Sequence, residues 1–425
     1  MNIHDKKKLE EKRYKHLKKL FLDKRYNELL KASNIFTKQY PLSPGGFNLL
    51  GLALFNLEKY TEATELYEGL LNNNPNILSF LNNLGDIYRS QGSIKKALEM
   101  YKRAVDINPD SFKANFGLGR VYFDDDKMSD ALLFLEKAFK LKINDSSTCY
   151  YLGEINKSIL QYDKAISYYK LSGGPLSNAH ILECIYLSKD RSTFYEEQER
   201  LNNKGELNPH LASIQTHASI RYDIPDGNHF CQSPFDFINH SKLTVEEGFD
   251  NNLIDKLNIY KEKLDYMSQE LIKNGNQTSG NIFASNEPYI KKIKDIIMSR
   301  INKYREFYKD SDSGFIKKWP SDFNIQGWII DIKKGGNLKS HMHKSGWLSG
   351  SLYLNVPKEK NSSEGNLVFS LDGENLPSDG KIFPSKEINI NTGDIILFPS
   401  SIFHHTLPFD SEENRITFAF DVYPN

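Results

Sequence analysis

The sequence predicts a multidomain protein in which an all-α solenoid is followed by a β-sandwich or jelly roll with buttressing helices. Two observations predict this fold class. A period of 34 residues runs through the first half of the chain, and short β-branched segments separated by Gly and Pro follow in the second half. The length of 425 residues suits two or three domains, at about 100–200 residues each.

Composition excludes several classes of protein before any motif is considered. Lys+Arg and Asp+Glu both total 55, so the formal net charge is zero, which argues against a coat for nucleic acid or for an anionic membrane. No apolar stretch approaches the ~20 residues that cross a bilayer, and the charged N-terminus lacks the apolar core of a signal peptide. The three cysteines are widely spaced and odd in number, which suits a reducing compartment. We therefore expect a soluble, cytoplasmic protein with no nucleic-acid or membrane partner.

The period of the first half is carried by residues that recur at fixed positions. Glycine and alanine let two helices approach closely, and larger residues fill the space between successive helices. We predict four repeats at 42–75, 76–109, 110–143 and 144–177, after a charged N-terminus and degenerate repeat at 1–41. Capping helices and a connector are predicted at 178–244. The recurring columns are Gly51, Gly85, Gly119 and Gly153; Ala63, Ala97, Ala131 and Ala165; and Tyr67, Tyr101, Leu135 and Tyr169.

The period and its small residues resemble the tetratricopeptide repeat (TPR), a helix–turn–helix unit. This resemblance implies a solenoid that binds an extended peptide or a partner protein on its concave side, with a structural or dimerising arm as the alternative. Four exposed-looking residues on predicted first helices are candidate partner contacts, namely Asn82, Asn83, Asn115 and Arg120. The ligand of the solenoid and the oligomeric state stay open.

Beyond about residue 206 the period is lost, and 206–244 is predicted to be a connector with one helix. Apolar residues at three- and four-residue steps predict helices over 246–273 and 287–309, separated by a polar Gly/Asn loop. The four connector histidines lack the spacing of metal ligands and are predicted to be surface or interface residues: His210, His217, His229 and His240. Strand patterns, which complete a domain at 245–425, occur at 323–332, 348–356, 365–371, 387–390, 394–398 and 415–422.

Three histidines and one arginine on the predicted strands have the chemistry of a metal site. His341 and His343 are two residues apart, so on an extended strand both side chains point to one face and can reach one ion. His404 follows about sixty residues later, where a jelly roll can bring it opposite that pair. Such a ligand set leaves coordination positions open, and Arg415 can clamp a carboxylate through two charge-assisted hydrogen bonds.

The order of these residues resembles the Fe(II)/2-oxoglutarate-dependent dioxygenase superfamily, and most closely its bacterial and phage branch of 2OG-Fe(II) oxygenases. Members of that branch often carry TPR repeats. The resemblance covers about 320–425, with an extension upstream to 245, and implies a double-stranded β-helix (jelly-roll) domain. The motifs that carry it are His341-Met-His343, Trp347-Leu-Ser-Gly350, Phe398-Pro-Ser400 before the distal histidine, and Arg415.

The resemblance implies Fe(II) as the metal, 2-oxoglutarate as the cosubstrate and dioxygen as the oxidant. It makes His341 and His404 iron ligands and places His343 where the family usually has Asp or Glu. This departure leaves two arrangements open, a three-histidine site or iron held by two histidines alone. The spacing after the Phe-Pro-Ser motif favours His404 over the adjacent His405.

The same resemblance assigns the cosubstrate residues. Arg415 takes the C5 carboxylate of 2-oxoglutarate, and Tyr353 matches a tyrosine that hydrogen-bonds the cosubstrate in prolyl hydroxylase relatives. No catalytic residue is predicted beyond the metal site.

The implied activity is hydroxylation of a peptide or protein side chain presented by the TPR arm, although a small molecule, glycan or nucleobase stays open as the substrate. One alternative is a non-catalytic TPR scaffold or binding protein with a metal-holding jelly roll. Another is a three-histidine metal dioxygenase that does not use 2-oxoglutarate. Arg415 argues against the latter, because such an enzyme needs no carboxylate clamp there.

Overall fold

A computed structural model describes residues 3–264, 266–267, 269–357, 363–373 and 375–425. The chain divides into two compact units, Met1–Tyr151 and Leu152–Asn425, and the division lies inside the predicted fourth repeat. Within the described part of the chain, no helix is both long enough and apolar enough to cross a membrane. A helical first region followed by a β-rich region confirms the predicted fold class.

A succession of helices that follow the predicted repeats runs through the first unit, and the last of them continues into the second unit. They are α1 (Ile3–Leu22), α2 (Tyr26–Gln39), α3 (Pro44–Asn56), α4 (Tyr60–Asn73), α5 (Leu78–Ser90), α6 (Ile94–Ile107), α7 (Phe112–Asp124), α8 (Met128–Leu141) and α9 (Ser146–Ser158). The first three predicted repeats each begin just before an odd-numbered helix and end just after the next even-numbered one, and the fourth begins just before α9. Helix α2 occupies the degenerate repeat.

Each repeat brings one large side chain against the glycine of its first helix. A Cβ atom added to Gly51 would lie 2.3 Å from the ring of Tyr67, and one added to Gly85 would lie 2.8 Å from Tyr101. Both tyrosines are fully buried. The recurring glycines are therefore required because the two helices of a repeat approach closely over an aromatic ring.

Replacing Gly51 with alanine is expected to destabilise the first unit by about 1–3 kcal/mol, because the added methyl group overlaps Tyr67. Gly69→Ala is the matched control, since nothing lies within 4 Å of a Cβ there and α4 gains roughly 1 kcal/mol of helix propensity. Thermal melting followed by far-UV circular dichroism should place the first variant below the wild type and the second at or above it. Equal melting temperatures would contradict the close-packing argument.

The candidate partner contacts of the solenoid are less exposed than the sequence suggests. Asn82, Asn83 and Asn115 are buried, with 3%, 6% and 0% of their surface accessible. The Asn115 amide donates to the carbonyls of Pro109 and Ser111 at 2.8 Å each, which ties its side chain to the start of α7. The expectation that these asparagines are exposed was wrong, because their side chains are packed within the solenoid and not turned to solvent.

Two of the candidate contacts, Asn83 and Arg120, belong to a network of polar side chains, here called the polar ladder, that links successive first helices. The Asn83 amide donates to Asn48 at 2.6 Å, and its oxygen accepts from the Lys113 ammonium at 2.5 Å. Asp86 joins the ladder by ion pairs with Lys113 at 3.1 Å and with the half-buried Arg120 at 3.7 Å. Binding of a partner through these residues stays a prediction.

The helical part of the second unit first completes the predicted repeats and then continues with helices outside them. Its helices are α10 (Tyr162–Ser172), α11 (Pro175–Ser188), α12 (Arg191–Asn203) and α13 (Pro209–Tyr222). Helix α13 lies in the predicted connector, and its His210 and His217 are buried. Of the four histidines predicted to be surface or interface residues, these two do not lie at the surface, since α13 packs into the unit, whereas His229 and His240 are exposed.

The β-rich part contains a seven-stranded and a three-stranded antiparallel sheet among the described residues. The strands are β1 (Asn239–Lys242), β2 (Tyr266–Met267), β3 (Ile272–Thr278), β4 (Phe323–Leu338), β5 (Leu348–Asn355), β6 (Leu367–Ser370), β7 (Ser385–Ile388), β8 (Asp394–Pro399), β9 (Phe403–Thr406) and β10 (Arg415–Pro424). The large sheet has the order β1-β8-β5-β10-β4-β3-β2, and the small sheet has the order β7-β6-β9. The helices α14 (Asn251–Lys261), α15 (Pro288–Phe307) and α16 (Gly314–Lys317) precede β4.

The large sheet is covered on both faces, which gives the domain its layered core. Alternate strand residues such as Ile329 and Phe418 pack with Ile293 and Ile297 of α15 in one apolar cluster. A second cluster joins β5 and β8 to the small sheet, where Phe369 stacks edge-on against Phe398 at a ring distance of 4.8 Å. Helices therefore buttress one face, as predicted, and the small sheet covers the other.

The chain between α14 and α15 differs from the prediction. The helix expected over 246–273 ends at Lys261, and strands β2 and β3 follow where a helix and then a polar loop were predicted. Strand β3 pairs with β4 from Ile272 opposite Leu338 to Gln277 opposite Ile330. Backbone pairing with a distant strand outweighs the weak helical periodicity of this segment, and that pairing is invisible in the local sequence.

Candidate metal centre

Three imidazoles converge in a cavity of about 340 Å³ that both sheets line. One ring nitrogen from each of His341, His343 and His404 lies within 4.8 Å of the others. The Nε2 atoms of His341 and His343 are 3.2 Å apart. Two nitrogens bound at ~2.1 Å to one ion and at right angles would be ~3.0 Å apart, so the spacing fits a shared metal.

Backbone pairing between distant segments sets this geometry. Strand β4 ends at Leu338, and a bridge then joins His341 to His404 through N–H···O bonds of 3.1 and 2.9 Å. His404 lies in the middle of β9, opposite Phe369 of β6. Because side chains alternate along β9, His404 is buried and faces the other two histidines, and the neighbouring His405 points to the opposite side of the strand.

Each of the three rings has a hydrogen-bond acceptor behind it. The Nδ1 atom of His341 is 2.9 Å from the carbonyl oxygen of Lys339, and that of His404 is 3.3 Å from the carbonyl oxygen of Ile402. The Nδ1 atom of His343 is 2.5 Å from a carboxylate oxygen of Asp421. A proton donated from each Nδ1 leaves the Nε2 lone pair free for a metal ion, which is the usual arrangement of metal-binding histidines.

Burial also favours the form of the rings that binds metal. Removal from water, with the neighbouring His343, lowers the pKa of His341 to about 4. Burial lowers the pKa of His404 well below its usual value, and the adjacent imidazoles add to this effect. His341 and His404 are therefore neutral at neutral pH, as metal binding requires, and a set of three imidazoles fits a borderline divalent metal such as Fe(II).

Arg415 places a buried positive charge in the same cavity. Its guanidinium donates to the Thr406 hydroxyl at 2.7 Å and to the Gly365 carbonyl at 3.0 Å, while its Nε–H finds no acceptor among the described residues. The side chain is 2% exposed, and burial lowers its pKa to about 10, so it is still charged at neutral pH. A buried charge of this kind is costly, and no described carboxylate pairs with it, so an anionic ligand is the natural complement.

Tyr353 completes the pocket next to the arginine. It lies on β5 opposite Thr417 of β10, is 1% exposed, and lines the cavity with Arg415. Burial raises the pKa of its hydroxyl to about 12 although the nearby Arg415 opposes this, so the phenol stays protonated and can donate a hydrogen bond. Trp328, Ile330 and other apolar side chains make up much of the remaining wall.

Three residues of the site were missed by sequence reasoning. The Thr406 hydroxyl accepts a hydrogen bond from the Arg415 guanidinium, and the Asp421 carboxylate accepts one from the His343 ring. The ring of Trp328 lies nearly parallel to that of His343, at a ring distance of 6.1 Å. The available signal was alternation, because Asp421 and Arg415 are six residues apart on one strand and therefore share a face. Their partners are remote in sequence.

A second cluster of possible ligands in this unit already contains a cation. His180, Glu183 and His210 lie close enough to hold an ion. The Lys157 ammonium is 2.9 Å from the Glu183 carboxylate and 3.2 Å from Nδ1 of His180. We therefore interpret this group as a buried ion-pair network, because a second cation there would be repelled by the lysine.

Comparison with known families agrees with this geometry. Residues 326–421 match the family described as "Putative 2OG-Fe(II) oxygenase", and residues 85–126 match the TPR repeat. The first match contains all three histidines, Tyr353 and Arg415. A domain of the 2OG-Fe(II) oxygenase kind thus follows TPR repeats in this chain, which confirms the resemblance stated from the motifs. The search of curated proteins finds none that matches.

Several solved structures are similar to part of this chain. Pseudomonas aeruginosa pilF is 18% identical, with 49% of this chain and 97% of that chain covered and a TM-score of 0.43. A thermophilic TPR protein of Thermus thermophilus is 20% identical, with 44% and 98% covered and a TM-score of 0.36. The type IV pilus biogenesis factor PilW is 12% identical, with 48% and 98% covered and a TM-score of 0.45. At these identities the likeness concerns the fold alone.

Proposed function

We propose that this chain is an Fe(II)/2-oxoglutarate-dependent dioxygenase that hydroxylates a side chain of a peptide or protein presented by its TPR arm. The observation that carries the proposal is the buried guanidinium of Arg415, which has no carboxylate partner among the described residues and lies in the same cavity as three convergent imidazoles. A metal site and an anion site in one cavity suit a cosubstrate that chelates the metal at one end and carries a second carboxylate at the other, as 2-oxoglutarate does.

The residues of the cavity divide the binding of this cosubstrate between them. Arg415 would bind the C5 carboxylate with charge-assisted hydrogen bonds, and Thr406 holds the guanidinium in position at 2.7 Å. Tyr353, protonated and on the same wall, would donate a further hydrogen bond to that carboxylate. His341, His343 and His404 would hold Fe(II) through Nε2 and leave positions open for the 2-oxo acid.

Bound Fe(II) would supply the redox chemistry by which dioxygen oxidises 2-oxoglutarate to succinate and CO2 and a C–H bond is hydroxylated. The contribution of the chain is positioning and the exclusion of water. Apolar residues line part of the cavity, among them Trp328, Ile330 and Leu338. A dry wall strengthens the electrostatic attraction between Arg415 and its anion, which orients the cosubstrate toward the metal.

A metal dioxygenase that does not use 2-oxoglutarate is the second candidate, and Arg415 argues against it. Such an enzyme needs no cation opposite the metal, and burying an unpaired arginine would cost stability without return. A non-catalytic metal-holding scaffold is the third candidate. Only turnover distinguishes it from an enzyme.

The choice of a peptide or protein as substrate rests on the TPR repeats, which commonly bind such partners. The repeats carry no signal for a particular sequence, so the substrate is proposed as a class. The cytoplasmic location stays a prediction.

The test is the release of CO2 from one of two 2-oxo acids by anaerobically purified protein after addition of Fe(II) and air, with succinate as the second product from 2-oxoglutarate and acetate from pyruvate. We expect succinate from 2-oxoglutarate and at least ~100-fold slower decarboxylation of pyruvate, which chelates metal equally but lacks the carboxylate that Arg415 binds. Equal rates with both acids would contradict the assignment of Arg415. Tight Fe(II) binding with no succinate at all would favour the scaffold.

A further inference from the structure

A carboxylate stands directly behind the histidine that replaces the usual acidic ligand. Asp421 Oδ2 lies 2.5 Å from Nδ1 of His343, and Asp421 is 1% exposed. We propose that Asp421, acting through the His343 imidazole, supplies the negative charge that an Asp or Glu ligand would otherwise bring to the metal. This role makes Asp421 a positioning residue of the metal centre, and it rests on the proposed function only in the identity of the ion.

The charge of the centre explains why such a residue is needed. Two histidines and one carboxylate around a divalent ion leave one net positive charge, whereas three neutral histidines leave two. A carboxylate hydrogen-bonded to a ligating imidazole restores the lower charge and makes the ring a stronger donor. The negative charge is thus moved one residue away from the ion but kept inside the site.

Asp421 has little other reason to be buried. Among the described residues, His343 is the only basic side chain within ion-pair distance of its carboxylate. A buried carboxylate without a lysine or arginine partner is expensive, and a cation on the far side of the His343 ring would compensate it.

The surroundings of Asp421 hold it in this position. It pairs with Ser349 of β5 and with Gln326 of β4 in the middle of the large sheet, and the Tyr423 hydroxyl donates to Oδ2 at 2.9 Å. A Cβ atom on Gly346 would lie 3.5 Å from Cγ of Asp421 and 2.7 Å from Oγ of Ser400, so the loop after His343 passes close to the carboxylate.

The His343 ring is fixed from a second direction as well. Trp328 of β4 lies nearly parallel to it, with an interplanar angle of 24° and a ring distance of 6.1 Å. The hydrogen bond to Asp421 fixes which nitrogen carries the proton, and the neighbouring indole limits rotation of the ring. Together these contacts aim Nε2 at Nε2 of His341, 3.2 Å away.

The test is the affinity of the full-length apo protein for Fe(II) under anaerobic conditions, with Co(II) absorption as a second readout. Asp421→Asn keeps the shape and removes the charge, and we expect it to weaken metal binding about 10–100-fold. Asp394→Asn is the matched control, because Asp394 is also buried and accepts from a histidine, His240 at 3.0 Å, but does not line the cavity. We expect less than about a twofold change for the control.

A second pair of variants separates charge from folding. In protein that carries His343→Asp, a direct carboxylate ligand makes Asp421 redundant, so adding Asp421→Asn should change metal affinity less than about twofold. Wild-type affinity in folded Asp421→Asn alone would overturn the proposal, as would an equal loss from Asp421→Asn in both backgrounds. Tryptophan fluorescence reports folding of this unit, because Trp319, Trp328 and Trp347 all lie in it.

The outcome is also independent of turnover. Metal affinity is measured without 2-oxoglutarate, so an Asp421 effect in a protein that makes no succinate would support this inference and reject the proposed activity. Succinate formation by a protein whose Asp421→Asn variant binds Fe(II) like the wild type would reject the inference and leave the activity standing.

Discussion

Replacement of Arg415 by methionine is expected to reduce 2-oxoglutarate binding by ~100–1,000-fold while Fe(II) binding is retained. A methionine removes two charge-assisted hydrogen bonds to the cosubstrate, each worth about 1.5–3 kcal/mol, part of which water recovers. Because Arg415 is buried with no carboxylate partner among the described residues, we expect the variant to be as stable as the wild type or more so. Loss of function with a gain of stability is the signature of a binding residue.

Isothermal titration with 2-oxoglutarate in the presence of Co(II) measures this effect without turnover. Arg221→Met is the matched control, since it removes an arginine whose ion pair with Asp379 at 2.6 Å lies outside the cavity lining. Arg415→Lys should fall between the extremes, because an ammonium keeps the charge but not the planar fork. Unchanged affinity for 2-oxoglutarate in Arg415→Met would remove the main support for the proposed function.

Replacement of His404 by alanine is expected to weaken Fe(II) binding by more than ~100-fold. His404 supplies one of the three nitrogen ligands and is buried at the centre of β9. Alanine removes that ligand and leaves a cavity in its place, so the metal ion keeps only two imidazoles. Anaerobic Fe(II) titration measures the affinity directly. His405→Ala on the same strand is the control, and we expect it to bind Fe(II) within about threefold of the wild type.

His343→Ala decides between the two arrangements that the sequence left open. The Nε2 spacing of 3.2 Å to His341 and the carboxylate behind the ring predict that His343 is a ligand, with a loss of at least ~10-fold on substitution. Retention of full affinity would show that His341 and His404 hold the ion alone. Equal losses in His404→Ala and His405→Ala would contradict the strand alternation on which the distal ligand rests.

Local patterns made the solenoid predictable. The contacts of a repeat, such as Tyr67 against Gly51, join residues 16 apart and recur along the chain, so periodicity in the sequence reproduces periodicity in space. Exposure was predicted less well, because a polar side chain is expected at the surface, yet Asn83 is buried against Asn48 of another helix and Asn115 is buried against the start of its own helix.

The strands of the β-rich part were predictable where the sequence contains runs of β-branched and aromatic residues, as at 323–332 and 415–422. Strand β3 was missed because Gly and Asn make it a poor strand former, and it is extended only because β4 pairs with it. His404 was singled out by its place after a Phe-Pro-Ser motif and was expected on a later strand than the other two histidines, where β9 has it.

By itself the sequence determined the order of domains, the helix pairs of the solenoid, and the residues that can carry metal and carboxylate chemistry, because all of these follow from short-range spacing. Only the tertiary structure decided that His341 and His404 meet through a backbone bridge, and that Asp421 lies behind His343 although 78 residues separate them. Whether Arg415 has an acidic partner was likewise decided by the fold. Such pairings depend on which distant strands are neighbours in a sheet, and that depends on the packing of the whole domain rather than on any local pattern.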